Sequence, residues 1–165
     1  MIDVGILGEN DRVELIRGVI VAKMPIGDPH VTTVNRLNRV FNRLTDDTII
    51  VSIQNPIRLA DSEPEPDVVL MKARDGKPSP ADTVLVIEVA DDSLENDREV
   101  KGPLYAENGI VEYWIVNLID KCVEVYRQPR ADGTYDEVRT LRGGETTDII
   151  SIPGITLNVA DLIGS

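Results

Sequence analysis

Glu65 to Lys101 reads EPDVVLMKARDGKPSPADTVLVIEVADDSLENDREVK, and this stretch decides the fold. It holds two apolar runs of strand length, Asp67–Met71 and Val84–Val89, both rich in β-branched residues and joined by a Gly/Pro/Asp-rich connection. Each run carries one carboxylate, Asp67 or Glu88, where an apolar strand should have none. An ionised carboxylate among such neighbours costs roughly several kcal/mol unless a cation or a hydrogen-bond network satisfies it. Asp67 and Glu88 are therefore the first candidate site residues.

Immediately downstream come Asp91-Asp92-Ser93 and then Leu94–Asn108, whose apolar positions Leu94, Val100, Leu104 and Tyr105 suit one face of a helix. Asp97 and Lys101, four apart, would share a helix face. Upstream, Glu63-Pro64-Glu65-Pro66 holds the chain extended, because a residue before proline is pushed out of helical geometry. That entry fixes where Asp67 points.

Further towards the N-terminus, Thr48–Leu59 reads as a strand with Pro56 near an edge or bulge. His30–Leu44 reads as a helix with Val34, Leu37, Val40, Phe41 and Leu44 on its apolar face. Its other face carries Arg36, Arg39 and Arg43, either a solvated basic face or one that meets a DNA backbone. His30, at the helix start, reads by itself as a surface or capping residue. Arg12–Met24 (RVELIRGVIVAKM) suggests a hairpin turning at Gly18, with Glu14 as an exposed edge-strand charge, and Met1–Asp11 is a short lead-in.

Towards the C-terminus, Asn108-Gly109 stops the helix and Val111–Val116 begins a strongly β run that pairs with Lys121–Arg127. Tyr135–Leu141 and Thr146–Ile152 are further strands, and Leu157–Ile163 is a closing helical turn after Pro153-Gly154. The pattern predicts one α/β (α+β) domain over residues 1–165, a mixed β-sheet flanked by about two main helices.

The formal net charge of -12 argues against tight nonspecific binding to nucleic acid, which rests on phosphate neutralisation. The charge is uneven: Arg12 to Arg43 carries six basic residues against Glu14 and Asp28, whereas Asp61 to Glu99 is strongly acidic. One cysteine, Cys122, permits neither an internal disulfide nor a thiolate cluster, and its alternating neighbours make it a packed strand residue. No apolar run reaches membrane-spanning length and no signal-peptide pattern opens the chain, so a cytoplasmic location is expected.

A strand-borne Asp, a strand-borne Glu and a nearby Lys are the parts of a metal-dependent phosphodiesterase. Mg²⁺ prefers hard oxygen ligands and keeps several waters, so Asp67, Glu88 and the Val89 carbonyl suffice to hold it. Lys101 could then orient the attacking water or stabilise developing negative charge. Against this stand plainer readings: Asp67 as a strand-entry cap on Pro66, and Asp97 with Lys101 as a surface pair contributing about 0.3–0.5 kcal/mol.

Several blocks together resemble a known family. They are Glu14-Leu15-Ile16-x-Gly18, His30 opening a helix, Pro66-Asp67-Val68-Val69, Ile87-Glu88-Val89, Asp97-x-x-x-Lys101-x-x-x-Tyr105, and Gly109-Ile110-Val111-Glu112-Tyr113-Trp114-Ile115-Val116. In order, over roughly Arg12 to Leu162, they look like the Uma-two family of putative restriction endonucleases. The resemblance implies a restriction-endonuclease-like fold of the PD-(D/E)xK superfamily and a metal-dependent nuclease site. Asp67 matches the Pro-Asp aspartate, Glu88 the second acidic ligand and Lys101 a helix lysine, with Glu14 and His30 at further polar positions near the site. Ala90 stands where the superfamily lysine usually stands, so Lys101 must reach in from the helix; Asp91-Asp92 replaces a frequent Ser-Pro.

The leading expectation is thus a DNA endonuclease using Mg²⁺ or Mn²⁺ at Asp67, Glu88 and Val89. Lys101 and Glu14 complete its catalytic set, and His30, Arg36 and Arg39 contact the substrate. Nucleases of this fold commonly pair, so a homodimer is expected. The rivals are a noncatalytic binding or assembly module that keeps the fold, and a hydrolase of smaller phosphoesters, which the lack of a Gly-rich phosphate loop disfavours.

Overall fold

A computed structural model describes residues 12–23 and 25–164. The lead-in Met1–Asp11, with Met24 and Ser165, lies outside the described residues. Strands β1 (Val13–Ile16) and β2 (Val19–Ala22) form a separate antiparallel hairpin. Its turn needs left-handed backbone at Arg17 (φ 50°) and Gly18 (φ 77°), a conformation that glycine adopts without Cβ strain. Helix α1 (Asp28–Leu44) opens on Asp28-Pro29, placing a carboxylate at the positive helix end and a proline where no N–H is needed. Thr33, Val34, Leu37 and Phe41 form its buried stripe.

Strands β3 (Ile49–Ile53), β4 (Val68–Lys72), β5 (Thr83–Ala90), β6 (Glu112–Asn117), β7 (Cys122–Pro129) and β8 (Tyr135–Arg142) make one six-stranded sheet in that spatial order. Every neighbouring pair is antiparallel except β5 with β6. A parallel pair requires a crossover. It is supplied by α2 (Leu94–Asn96), a five-residue π-helical turn (Asp97–Lys101) and α3 (Gly102–Glu107). A second hairpin, β9 (Thr146–Ile149) with β10 (Ile152–Asn158), leads into α4 (Val159–Ile163).

Two expected strands end differently. The run Thr48–Leu59 is a strand only to Ile53, because Gln54 turns left-handed (φ 53°) and its amide bonds the Asp67 carbonyl. The run Thr146–Ile152 divides into two strands, and Pro153-Gly154 sits inside β10, where a register shift between Ile152 and Thr156 absorbs it.

The side-chain period of two splits the sheet's apolar residues between two layers. Val68, Leu70, Ile87, Trp114 and Val116 pack with Val34, Leu37 and Phe41 of α1. On the opposite side Val69, Met71, Val86, Ala90, Tyr113 and Ile115 pack with Leu104 and Tyr105 of α3. Alternation puts Glu88 on this second side, between Val86 and Ala90, in a strand whose eight residues are all buried. Asp67 enters β4 in step with Val69 and Met71. Both carboxylates therefore look towards the crossover helices, and only specific partners can keep them there.

Candidate active site

Those partners come from four separate elements. Lys101, 3% exposed, places Nζ 2.6 Å from Glu14 Oε1 and 3.5 Å from Glu88 Oε1. The Tyr105 hydroxyl, one helical turn on, donates to Glu88 Oε1 at 2.8 Å. Glu14 Oε1 also accepts the Glu65 amide at 2.8 Å, which fastens the β1–β2 hairpin over the entry to β4. Asp67 Oδ2 accepts the Val89 amide at 2.8 Å and lies 3.1 Å from His30 Nε2. A cavity of about 300 Å³ opens over this group, lined by Glu14, His30, Asp67, Glu88, Asp97 and Lys101 among others.

The crossover helix brings two of these residues inward by a local irregularity. Over Asp97–Lys101 the helix widens to a π turn, a feature often found at functional sites. Gly102 sits beneath it; a Cβ there would come 3.5 Å from the Asp97 carbonyl and 3.8 Å from the Tyr113 ring. The Tyr113 hydroxyl donates to that carbonyl at 3.0 Å and supports the wide turn from below. Asp97 itself is buried, and its Oδ2 accepts the Ser93 hydroxyl at 2.7 Å.

Burial and neighbouring charge set the protonation states. Burial pushes the Asp67 carboxyl up, but the His30 hydrogen bond and charge, the Val89 amide and Lys23 together bring it below its ordinary value. Asp67 is therefore an acceptor, and His30 donates to it from Nε2. His30 Nδ1 is buried with no partner among the described residues. Glu88 is driven the other way: burial raises it well above the ordinary value, helped by Asp67, Asp97 and Glu14 and opposed by Lys101. Burial also lifts Asp97, to about 7, against the Ser93 hydrogen bond and the Lys101 charge. Burial would lower Lys101, yet the charges of Glu88 and Glu14 outweigh it and raise the ammonium.

The donor set suits a hard cation. Asp67 Oδ1 and Glu88 Oε2 accept no hydrogen bond from the described residues, and both side chains line the cavity. Val89 lies beyond the end of the β4–β5 ladder, whose last pair is Val68 with Ile87. Its amide points to Asp67, and within a strand a residue's carbonyl faces the same edge as its amide, so that carbonyl is directed to the Asp67 side as well. Among the described residues no three His, Cys, Asp or Glu side chains form a ready-made metal cage. Two open carboxylate oxygens and a carbonyl, with water completing the shell, match Mg²⁺ better than a soft or all-protein site.

Five of the residues singled out in the sequence, Glu14, His30, Asp67, Glu88 and Lys101, thus converge, and the plainer alternatives for them do not hold. Glu14 is 7% exposed rather than an open edge charge, and His30 is buried against Asp67 rather than capping at the surface. Asp97 and Lys101 are both buried and form no pair with each other. Asp67 reaches across to β5 instead of capping Pro66. Ala90 is buried in the core, and the lysine that lies beside Glu88 is Lys101 of the π turn. Arg36 and Arg39 are not brought to the cavity: Arg36 lies over Gly164, and Arg39 is exposed on α1. Three participants went unassigned: Tyr105, Ser93 and Asp97. The Asp97-x-x-x-Lys101-x-x-x-Tyr105 spacing was the signal that could have found two of them.

Comparison with known proteins places the geometry in context. The model of the Uma2 family, described as putative restriction endonuclease, matches residues 4–160. No curated protein matches the chain. Among solved structures, a putative nuclease belonging to DUF820 from Anabaena variabilis superposes with a TM-score of 0.76 at 17% identity. The match covers 96% of this chain and 93% of that one. At that identity the likeness speaks for the fold. No helix among the described residues is long and apolar enough to cross a membrane.

Proposed function

We propose that this chain, which belongs to the Uma2 family of putative restriction endonucleases, is a metal-dependent endonuclease that hydrolyses DNA phosphodiester bonds. The observation that carries this reading is the convergence of Lys101 with Glu14 and Glu88 beside Asp67 on one cavity. Asp67, Glu88 and the Val89 carbonyl would hold Mg²⁺ or Mn²⁺. Such an ion, when bound, polarises a phosphoryl oxygen and makes water a better nucleophile.

The chain's own groups do the rest. Lys101 offers a permanent ammonium to the negative charge that builds on the phosphoryl oxygens, and Glu14 fixes where that ammonium sits. Tyr105 holds Glu88 Oε1, leaving Oε2 free. His30 orients Asp67 from behind, the role a hydrogen-bonded neighbour plays for a metal-ligating carboxylate. Arg36 and Arg39 receive no part in the chemistry.

One observation favours a noncatalytic binding module instead. Six carboxylates line the cavity against two lysines, and Lys23 and Lys101 are both already paired. A Mn²⁺ titration by calorimetry on wild type and Asp67→Ala, followed by plasmid nicking, separates the two. The nuclease reading expects binding and nicking in the wild type and a loss of both in the variant, with cleavage down at least about 10³-fold. No binding at millimolar Mn²⁺, or full nicking by Asp67→Ala, overturns it.

A further inference from the structure

The cavity's four inner carboxylates are not equally provided for. Asp67 has a histidine and a backbone amide, Glu88 has Lys101 and Tyr105, and Glu14 has Lys101 and the Glu65 amide. Asp97 alone forms no ion pair among the described residues; a single hydroxyl, that of Ser93, donates to its Oδ2. Its Oδ1 accepts no hydrogen bond from the described residues and belongs to a side chain on the cavity wall. The π turn, with the Tyr113 hydroxyl bonded to the Asp97 carbonyl, positions it there.

Resting on the nuclease reading, we propose that Asp97 is the general acid of this site, delivering its carboxyl proton to the oxygen that leaves phosphorus. Water adds to phosphorus and the bond to the leaving sugar oxygen breaks, with its electron pair going to that oxygen. The Asp97 proton then joins it to give a free sugar hydroxyl. The proton shed by the attacking water passes to bulk solvent, and solvent returns one to Asp97. A sugar alkoxide is a poor leaving group, and a positioned acid contributes about 10²–10⁴-fold.

Every group facing Asp97 acts on its proton. Glu14 of β1, Asp67 before β4 and Glu88 of β5 place negative charge around it, Lys101 of the same turn opposes them, and Tyr113 of β6 and Ser93 are neutral. Burial and these carboxylates favour the neutral acid, consistent with a carboxyl lifted to about 7. The other buried carboxyl raised above its ordinary value, Glu88, has its Oε1 engaged by Lys101 and Tyr105 and is the metal-side carboxylate of the proposed reaction.

The test compares wild type and Asp97→Asn on one duplex, cut at its mapped nick position, and on the same duplex with sulfur replacing the leaving oxygen. A thiolate leaves without needing a proton. Asp97→Asn should cut the oxygen duplex about 10²–10⁴-fold more slowly and the sulfur duplex within about threefold of wild type, with Mn²⁺ affinity unchanged by calorimetry. Equal losses on both duplexes, no loss on either, or lost Mn²⁺ binding overturn the assignment. If the variant does not fold, wild type decides: the sulfur-to-oxygen rate ratio should climb as pH rises past neutrality, and a flat ratio overturns it. A wild type that nicks nothing removes the nuclease reading itself, and the acid with it.

Discussion

Two buried charge clusters sit on this sheet, and they are built to opposite ends. Glu112, fully buried on β6, accepts Trp114 Nε1 at 2.8 Å and Arg127 Nε at 2.9 Å through one oxygen, and the Ile150 amide at 2.9 Å through the other. Arg127 continues to the Asp148 carbonyl and carboxylate. Both oxygens of Glu112 are filled, and the cluster pins the β9–β10 hairpin to β6 and β7. Around Lys101 the cations and hydroxyls are spent on one oxygen of each acid, and the other oxygen of Asp67, Glu88 and Asp97, all on the cavity lining, accepts no hydrogen bond from the described residues. Leftover acceptor capacity, rather than burial or the presence of an ion pair, separates a site from a clasp.

The comparison breaks most easily at its structural end. Glu112→Ala leaves an indole N–H without its acceptor and the buried Arg127 guanidinium with Asp148 alone, and should cost about 3–5 kcal/mol in urea unfolding while Mn²⁺ binding by the folded fraction is kept. An equal loss of metal affinity would mean the clusters are not independent. Lys101→Met leaves Glu14 and Glu88 uncompensated, but the cavity lets water in, so about 2 kcal/mol is expected together with loss of cleavage. A cost as large as that of Glu112→Ala would show the site to be as closed as the clasp.

Acidity gives a finer distinction. Asp97 holds its proton more tightly folded than unfolded, so its contribution to stability is complete below pH about 4, declines as pH rises to about 7, and is gone above that. Metal-free wild type measured against Asp97→Asn by denaturant unfolding should therefore lose ground between pH about 4 and about 7 and stay level beyond. A difference independent of pH would place Asp97 in water. The smallest effect belongs to Tyr105→Phe, which removes one hydrogen bond to Glu88: about 1 kcal/mol of stability and roughly a tenfold drop in cleavage. A larger stability loss than activity loss would move Tyr105 to the structural side.

The sequence made the centre of the sheet readable because β4, β5 and β6 are dense in β-branched residues, and a lone Asp or Glu stands out against them. Glu14 was hidden by its surroundings: a four-residue strand facing an exposed β2 gives no sign that a lysine 87 positions away will cover it. Asp97 with Lys101 has the spacing of a surface pair, and periodicity cannot reveal that the turn is π-helical or that both residues face inward. The end of β3 and the whole of β10 depended on backbone left-handedness and a register shift, which local composition does not encode. Arg36, Arg39 and Arg43 show the converse, because a basic helix face is visible in the sequence, whereas its absence from the cavity lining is visible only in the structure.

The contact between Glu14 and Lys101 has a temporal meaning too. Closing so long a loop is among the later events available to a folding chain. During synthesis, the hairpin that carries Glu14 leaves the ribosome well before the helix that carries its cation. Until Lys101 emerges, a hairpin settled over the entry to β4 holds Glu14 with the Glu65 amide but without its cation. The charged lining of the cavity is therefore complete only once both the hairpin and the crossover helix are in place.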